Sequence, residues 1–130
     1  MFVPRPPLFR WAGAAGAAIA SGFARLYGSS FPTSRVHVER GLRMYVDLPK
    51  WAYPRGGVCI GNVFLTGKVP SSSVVSHELV HVEQWKKYGL FFPILYAAAG
   101  ADPFTNRFEV EAGLEAGGYL PPKRPPTVRR

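Results

Sequence analysis

The chain has 130 residues, room for one domain and barely for two. Hydrophobic residues make up 47% and charged residues 18%, which excludes a disordered composition, and the single cysteine, Cys59, excludes an internal disulfide and a cysteine-based zinc site. A formal net charge of +8 suggests a polyanionic partner, but residues 56–119 carry only four basic groups against six acidic ones, so the excess lies towards the two ends.

Residues 1–10 read as an extended, proline-rich arm, with three prolines in positions 4–7. Residues 11–27 predict a small-residue helix ending near Gly28. Arg5 and Arg10 before this Ala/Gly-rich run, and no acid before Glu39, fit a cleaved targeting segment. They also fit a short helix that packs on the domain or lies on a membrane surface. Val36 to Val38 gives a weak strand signal, and Leu42 to Leu48 alternates as a strand, with Leu42, Met44, Val46 and Leu48 on one face. Val58 to Thr66 is the clearest strand, interrupted by Gly61-Asn62 at a bulge or tight reversal.

A helix is predicted from Ser71-Ser72-Ser73, three adjacent N-cap residues, to about Tyr88, with Lys86 and Lys87 in its last turn and Gly89 beyond. The apolar run Leu90 to Ala101, broken at Pro93, falls short of the roughly 18 residues of a membrane span. It predicts either a closure of the core or a membrane-contact loop. Asp102-Pro103 marks the start of a second helix, ending at Gly117-Gly118. Strands followed by helices point to an α+β domain. The chain divides into an arm and helix over 1–30, a domain over 31–119, and a Pro-rich basic tail over 120–130 that lacks regular structure.

Residues 77–81 read His77-Glu78-Leu79-Val80-His81, the H-E-x-x-H pattern, inside the predicted helix. Positions i and i+4 share a face, so both imidazoles point to one place and supply half of a tetrahedral zinc site. Glu78 can reach a water at the open position and act as general base. A third protein ligand is required. His37 is one candidate, and the second helix offers Glu109, Glu111 and Glu115. Glu109 shares a helix face with Ala112, Gly113 and Ala116, small residues that allow close approach to another helix. Glu111 and Glu115 share a different face with Phe104 and Phe108. Glu109 is therefore the favoured ligand and Glu111 the fallback.

His77-Glu-x-x-His81, followed on a later helix by Glu109-Val110-Glu111-Ala112, resembles the gluzincin group of zinc metallopeptidases. It is most similar to the branch whose third ligand begins a Glu-x-x-Ala-Asp motif, which includes membrane-associated CAAX-type and heat-shock proteases. The string His77 to Trp85 also resembles small bacterial proteins of minimal zincin type. The resemblance implies a short, mostly antiparallel sheet packed on the HExxH helix and a following Glu-bearing helix. It further implies Zn²⁺ held by His77, His81 and Glu109, and a hydrolase acting on a peptide or protein substrate through Glu78. Gly113 stands where that branch carries Asp, which leaves Asn106 or Arg107 to orient Glu109.

The remaining features are read as follows. Val75, Leu79 and Val82 form a core stripe, and Trp85 and Tyr88 pack. Glu83 and Gln84 read as a solvated helix face. Cys59 is a small buried group. Tyr45, Tyr53, Tyr119, His37 and Arg107 are the candidates to stabilise an oxyanion. Val58 to Thr66 could receive substrate as an added strand. Two alternatives to a peptidase stand: a zincin-shaped module that holds metal without proteolysis, and a basic peripheral protein on lipid or nucleic acid. No nucleic-acid-binding motif is present, which disfavours nucleic acid as partner.

Overall fold

A computed structural model describes residues 7–114 and 116. Glu115, Tyr119 and the tail over 120–130 lie outside the described residues, as do residues 1–6 of the arm. The fold is α+β. Helix α1 (Pro7–Ser29) leads into strands β1 (Arg35–Glu39), β2 (Leu42–Val46), β3 (Val58–Ile60) and β4 (Val63–Leu65). Helices α2 (Ser72–Tyr88), α3 (Phe92–Ala98) and α4 (Arg107–Ala112) follow. The sheet order is β1-β2-β4-β3; β1/β2 and β3/β4 are antiparallel and β2/β4 is parallel.

Four strands form where three were expected. The Gly61-Asn62 interruption is a two-residue hairpin that splits the apolar run, because Ile60 pairs directly with Val63. Gly61 has φ 65 and packs on α1, where a Cβ would lie 2.1 Å from Ser21 Oγ. The Asn62 N–H donates to that hydroxyl at 2.9 Å. Of the two strands from that run β3 alone lies at an edge of the sheet, and the Trp85 indole N–H donates to its Cys59 carbonyl at 3.0 Å. That carbonyl is taken by α2, which limits the added-strand role expected for the whole run.

β2 ends at Val46 because Asp47 turns to φ 64, held by an ion pair with Arg35. Leu48 therefore leaves the face of Leu42, Met44 and Val46 and joins Tyr45 on the other side. One face, through Leu42, Met44, Val46 and Phe64, packs on Val75 and Val82 of α2. The other, through Tyr45, Val63 and Leu65, packs on Ala24 of α1.

Helix α1 begins at Pro7, four residues before the expected start, since proline is well tolerated in a first helical turn. Its buried positions are Gly13, Gly16, Ala17, Ala20, Ser21, Ala24 and Gly28, one continuous stripe of small residues. That stripe lets α1 cross the end of α2 almost backbone to backbone. A Cβ on Gly13 would lie 2.2 Å from the Lys86 carbonyl oxygen. The Ala/Gly richness thus serves close helix packing, and α1 shares the core of the sheet domain.

Pro93 opens α3 rather than breaking it, and Phe92 closes the core between α2 and α4. The expected helix at Asp102-Pro103 makes only a turn, in which Asp102 Oδ1 accepts from Phe104 N at 3.0 Å. The helix restarts at Asn106, whose Oδ1 accepts from Phe108 N at 2.9 Å while its Nδ2 donates to the carbonyls of Tyr96 and Gly100. This buried, fully bonded asparagine outcompetes the local Asp-Pro signal as N-cap. Helix α4 stops at Ala112, well short of Gly117-Gly118, because Gly113 adopts φ 97.

Candidate metal centre

Helix α2 forms as its sequence dictates. Ser71 caps it by accepting from Val74 N, and Gly89, with φ 59, ends it. Its amphipathic register buries Val75 and Val82 against the sheet and leaves His77 and His81 on the side facing α4. Glu109 Oε1 lies 3.0 Å from His77 Nε2 and 3.2 Å from His81 Nε2, and the two Nε2 atoms are 3.1 Å apart. All three residues are buried. An ion bound tetrahedrally at about 2.0–2.1 Å separates its ligands by about 3.3 Å, so this triangle has the size of one face of such a polyhedron.

The hydrogen-bond partners fix which ring nitrogens carry protons. His77 Nδ1 donates to the Gly113 carbonyl at 2.6 Å. Gln84 Nε2 donates to Phe108 O at 3.0 Å and Glu111 Oε1 at 2.6 Å, so its Oε1 must accept, and it accepts from His81 Nδ1 at 2.7 Å. A neutral ring then presents a bare Nε2 to Glu109 Oε1, and a protonated ring donates to it from Nε2. Three such atoms buried from water need a positive charge among them, which either a proton on an imidazole or a bound metal ion supplies. The Tyr96 hydroxyl donates to the second oxygen, Glu109 Oε2, and so turns Oε1 to the histidines.

Electrostatics point the same way. Burial opposes charge on Glu109, but hydrogen bonds from His77, His81 and Tyr96 outweigh it and hold its pKa well below the usual carboxylate range. Burial also opposes charge on His81, and its partners Glu109, Glu78 and Gln84 outweigh it and raise the pKa. Burial pushes Glu78 up to about 7, opposed by His81 and His77 and reinforced by Glu109. Glu78 borders a cavity of about 360 Å³ that is also lined by Arg55, Phe64, Thr66, Lys68 and Val74. Cys59 packs beneath it, with Sγ 3.8 Å from the Glu78 carbonyl, and burial raises its thiol pKa well above normal.

The structure brings His77, His81 and Glu109 together and leaves other candidates elsewhere. His37 lies on β1, the far edge of the sheet, with Glu39 as its neighbour. Glu111 is exposed and bonds Gln84. Asn106 caps α4 and Arg107 lies over the Phe108 ring, so neither orients Glu109; Tyr96 does. Among the oxyanion candidates, Tyr45 faces α1 across the sheet and Tyr53 packs beside Gly67.

Two residues of the centre escaped the sequence reading. Gln84 is buried and bonded to His81, not part of a solvated face, whereas Glu83 is exposed and pairs with Lys86. Tyr96 sits in the apolar run Leu90 to Ala101, where no neighbour in sequence marks it as polar-bonded. Its isolated hydroxyl in that run was the one available signal, since a buried phenol needs a polar partner. Comparison with protein-family models, curated proteins and solved structures finds no match to this chain.

Proposed function

We propose that this chain is a minimal zinc-dependent metallopeptidase of gluzincin type. The observation that carries the reading is the buried triangle of His77 Nε2, His81 Nε2 and Glu109 Oε1, with both Nδ1 atoms held by acceptors so that the Nε2 atoms converge on the carboxylate. These three atoms would hold Zn²⁺. When bound, the ion supplies Lewis acidity that polarises a scissile carbonyl and acidifies water. Glu78, adjacent on the helix and bordering the cavity, takes the proton from the attacking water and delivers it to the leaving amine. At the position where the resembled branch carries Asp, the Gly113 backbone carbonyl accepts from His77 Nδ1 and so orients that imidazole.

The Glu78→Gln variant is expected to keep stoichiometric zinc and to lose about 10²–10⁴-fold in kcat/KM on a peptide library. Undiminished hydrolysis by that variant would reject the mechanism. The close burial of all three ligand residues favours a second reading, a module that holds the metal without hydrolysis. A zinc-loaded wild-type chain that cleaves nothing in the same library selects it. In either case Gln84→Ala is expected to weaken zinc binding about 10–100-fold, because His81 loses the partner that fixes its tautomer. Competition against a chromogenic chelator reads this out, and an unchanged affinity would show that Gln84 has no orienting role.

A further inference from the structure

Helix α1 is apolar on both sides. Its inner side is the small-residue stripe already described. Its outer side presents Ile19, Phe23 and Leu26, spaced i, i+4 and i+7, at 51%, 70% and 72% exposure. Helices that pack on a domain ordinarily place polar residues there. The backbone approach of Gly16 to Leu90 sets beside α1 a second exposed apolar group, Leu90, Phe91 and Ile94, at the turn into α3. Inward-facing Phe92 already closes the core, so these three are not needed to fill it.

The sequence that carries this face has charge of one predominant sign. Residues 7–29 contain Arg10 and Arg25 and no acid, and residues 89–101 contain no charged residue. Lys86 and Lys87, whose carbonyls touch Gly13, add cations at the α1–α2 crossing, against one acid, Glu83. No helix among the described residues is long and apolar enough to cross a membrane. Exposed apolar side chains in a stretch of sequence with an excess of Arg and Lys are the chemistry of binding in the interface of an anionic bilayer.

We infer that the outer face of α1, together with Leu90, Phe91 and Ile94, docks the protein on an anionic lipid surface. Bulky apolar groups enter the acyl boundary, and the flanking cations stay at the headgroups. This inference rests on none of the zinc chemistry.

Flotation of the full chain with vesicles is the test. Binding is expected to mixed phosphatidylcholine–phosphatidylserine vesicles, to weaken in high salt, and to be at least about tenfold weaker on pure phosphatidylcholine. A Phe23→Glu, Phe91→Glu double variant should lose about tenfold or more of the anionic-vesicle affinity while retaining its circular dichroism, since both side chains are exposed. Arg25→Glu should cost about fivefold or more. Failure to float with the anionic vesicles, or equal flotation by the double variant, overturns the proposal. So does a stable dimer by light scattering that the double variant dissociates without any vesicle binding, which would assign the face to a second copy of this chain.

Discussion

Replacing Glu109 with alanine is expected to abolish zinc uptake, a loss beyond the 10–100-fold typical of removing an orienting group. Three effects combine. The triangle loses one of its three donor atoms and its only negative charge. The Tyr96 hydroxyl loses its acceptor. The two Nε2 atoms, 3.1 Å apart, remain with no carboxylate to favour positive charge between them. Glu111→Ala is the matched control, since Glu111 is exposed and reaches the centre only through Gln84. It should retain zinc at full stoichiometry. Elemental analysis of the two purified variants decides, and zinc lost from Glu111→Ala but kept by Glu109→Ala would sink the ligand assignment. Thermal unfolding gives an independent reading. A metal that binds only the folded chain stabilises it by about 4 kcal/mol at a thousandfold excess over Kd, which raises Tm on the order of 10 °C. That rise should be present in wild type and Glu111→Ala and absent in Glu109→Ala.

The contrast between these two glutamates shows how much of the centre could be read from the chain. His77 and His81 are four residues apart within a helix whose caps, Ser71 and Gly89, are local signals, so their shared face follows from helix geometry alone. The sequence favours Glu109 for a face of small residues, of which only Ala112 is helical because α4 ends before Gly113 and Ala116; Glu109 lies beside the histidines for a reason that pattern does not contain. Gln84 and Tyr96 were out of reach for a common reason. Each is made functional by a partner from a distant element, Gln84 by Phe108 and Glu111, Tyr96 by Glu109. A glutamine after Glu83 in a polar stretch looks the same whether it faces solvent or a histidine. The start of α4 failed differently. Asp102-Pro103 does form its turn, but Asn106 gains buried bonds to Tyr96 and Gly100 that only the folded loop supplies. The split of Val58 to Thr66 depended on α1, since Gly61 reverses directly against Ser21.

Gly13→Val is expected to destabilise the whole domain by about 3 kcal/mol or more, out of a total that for such domains is about 5–15 kcal/mol. A Cβ there would lie 2.2 Å from the Lys86 carbonyl oxygen and 3.0 Å from that of Lys87. Both are backbone atoms of α2 and cannot rotate aside. Relief requires α1 to lift from α2, which uncovers Trp85 where it packs with Ala17 and Ala20. The same displacement pulls Ser21 from the Asn62 N–H and loosens the β3–β4 hairpin. Gly22→Ala is the counterpart on the same helix, with nothing within 4 Å of its added methyl. It should stabilise by about 0.5–1 kcal/mol, the usual gain of alanine over glycine inside a helix. Urea denaturation followed by tryptophan fluorescence measures both, since Trp85 reports on the α1–α2 contact. Equal midpoints for Gly13→Val and wild type would mean that α1 is an appendage whose detachment costs nothing. Helix α2 would then stand on the sheet and α4 alone. The expected loss, by contrast, ties the His77–His81–Glu109 cluster to the amino-terminal helix through α2, which both contact.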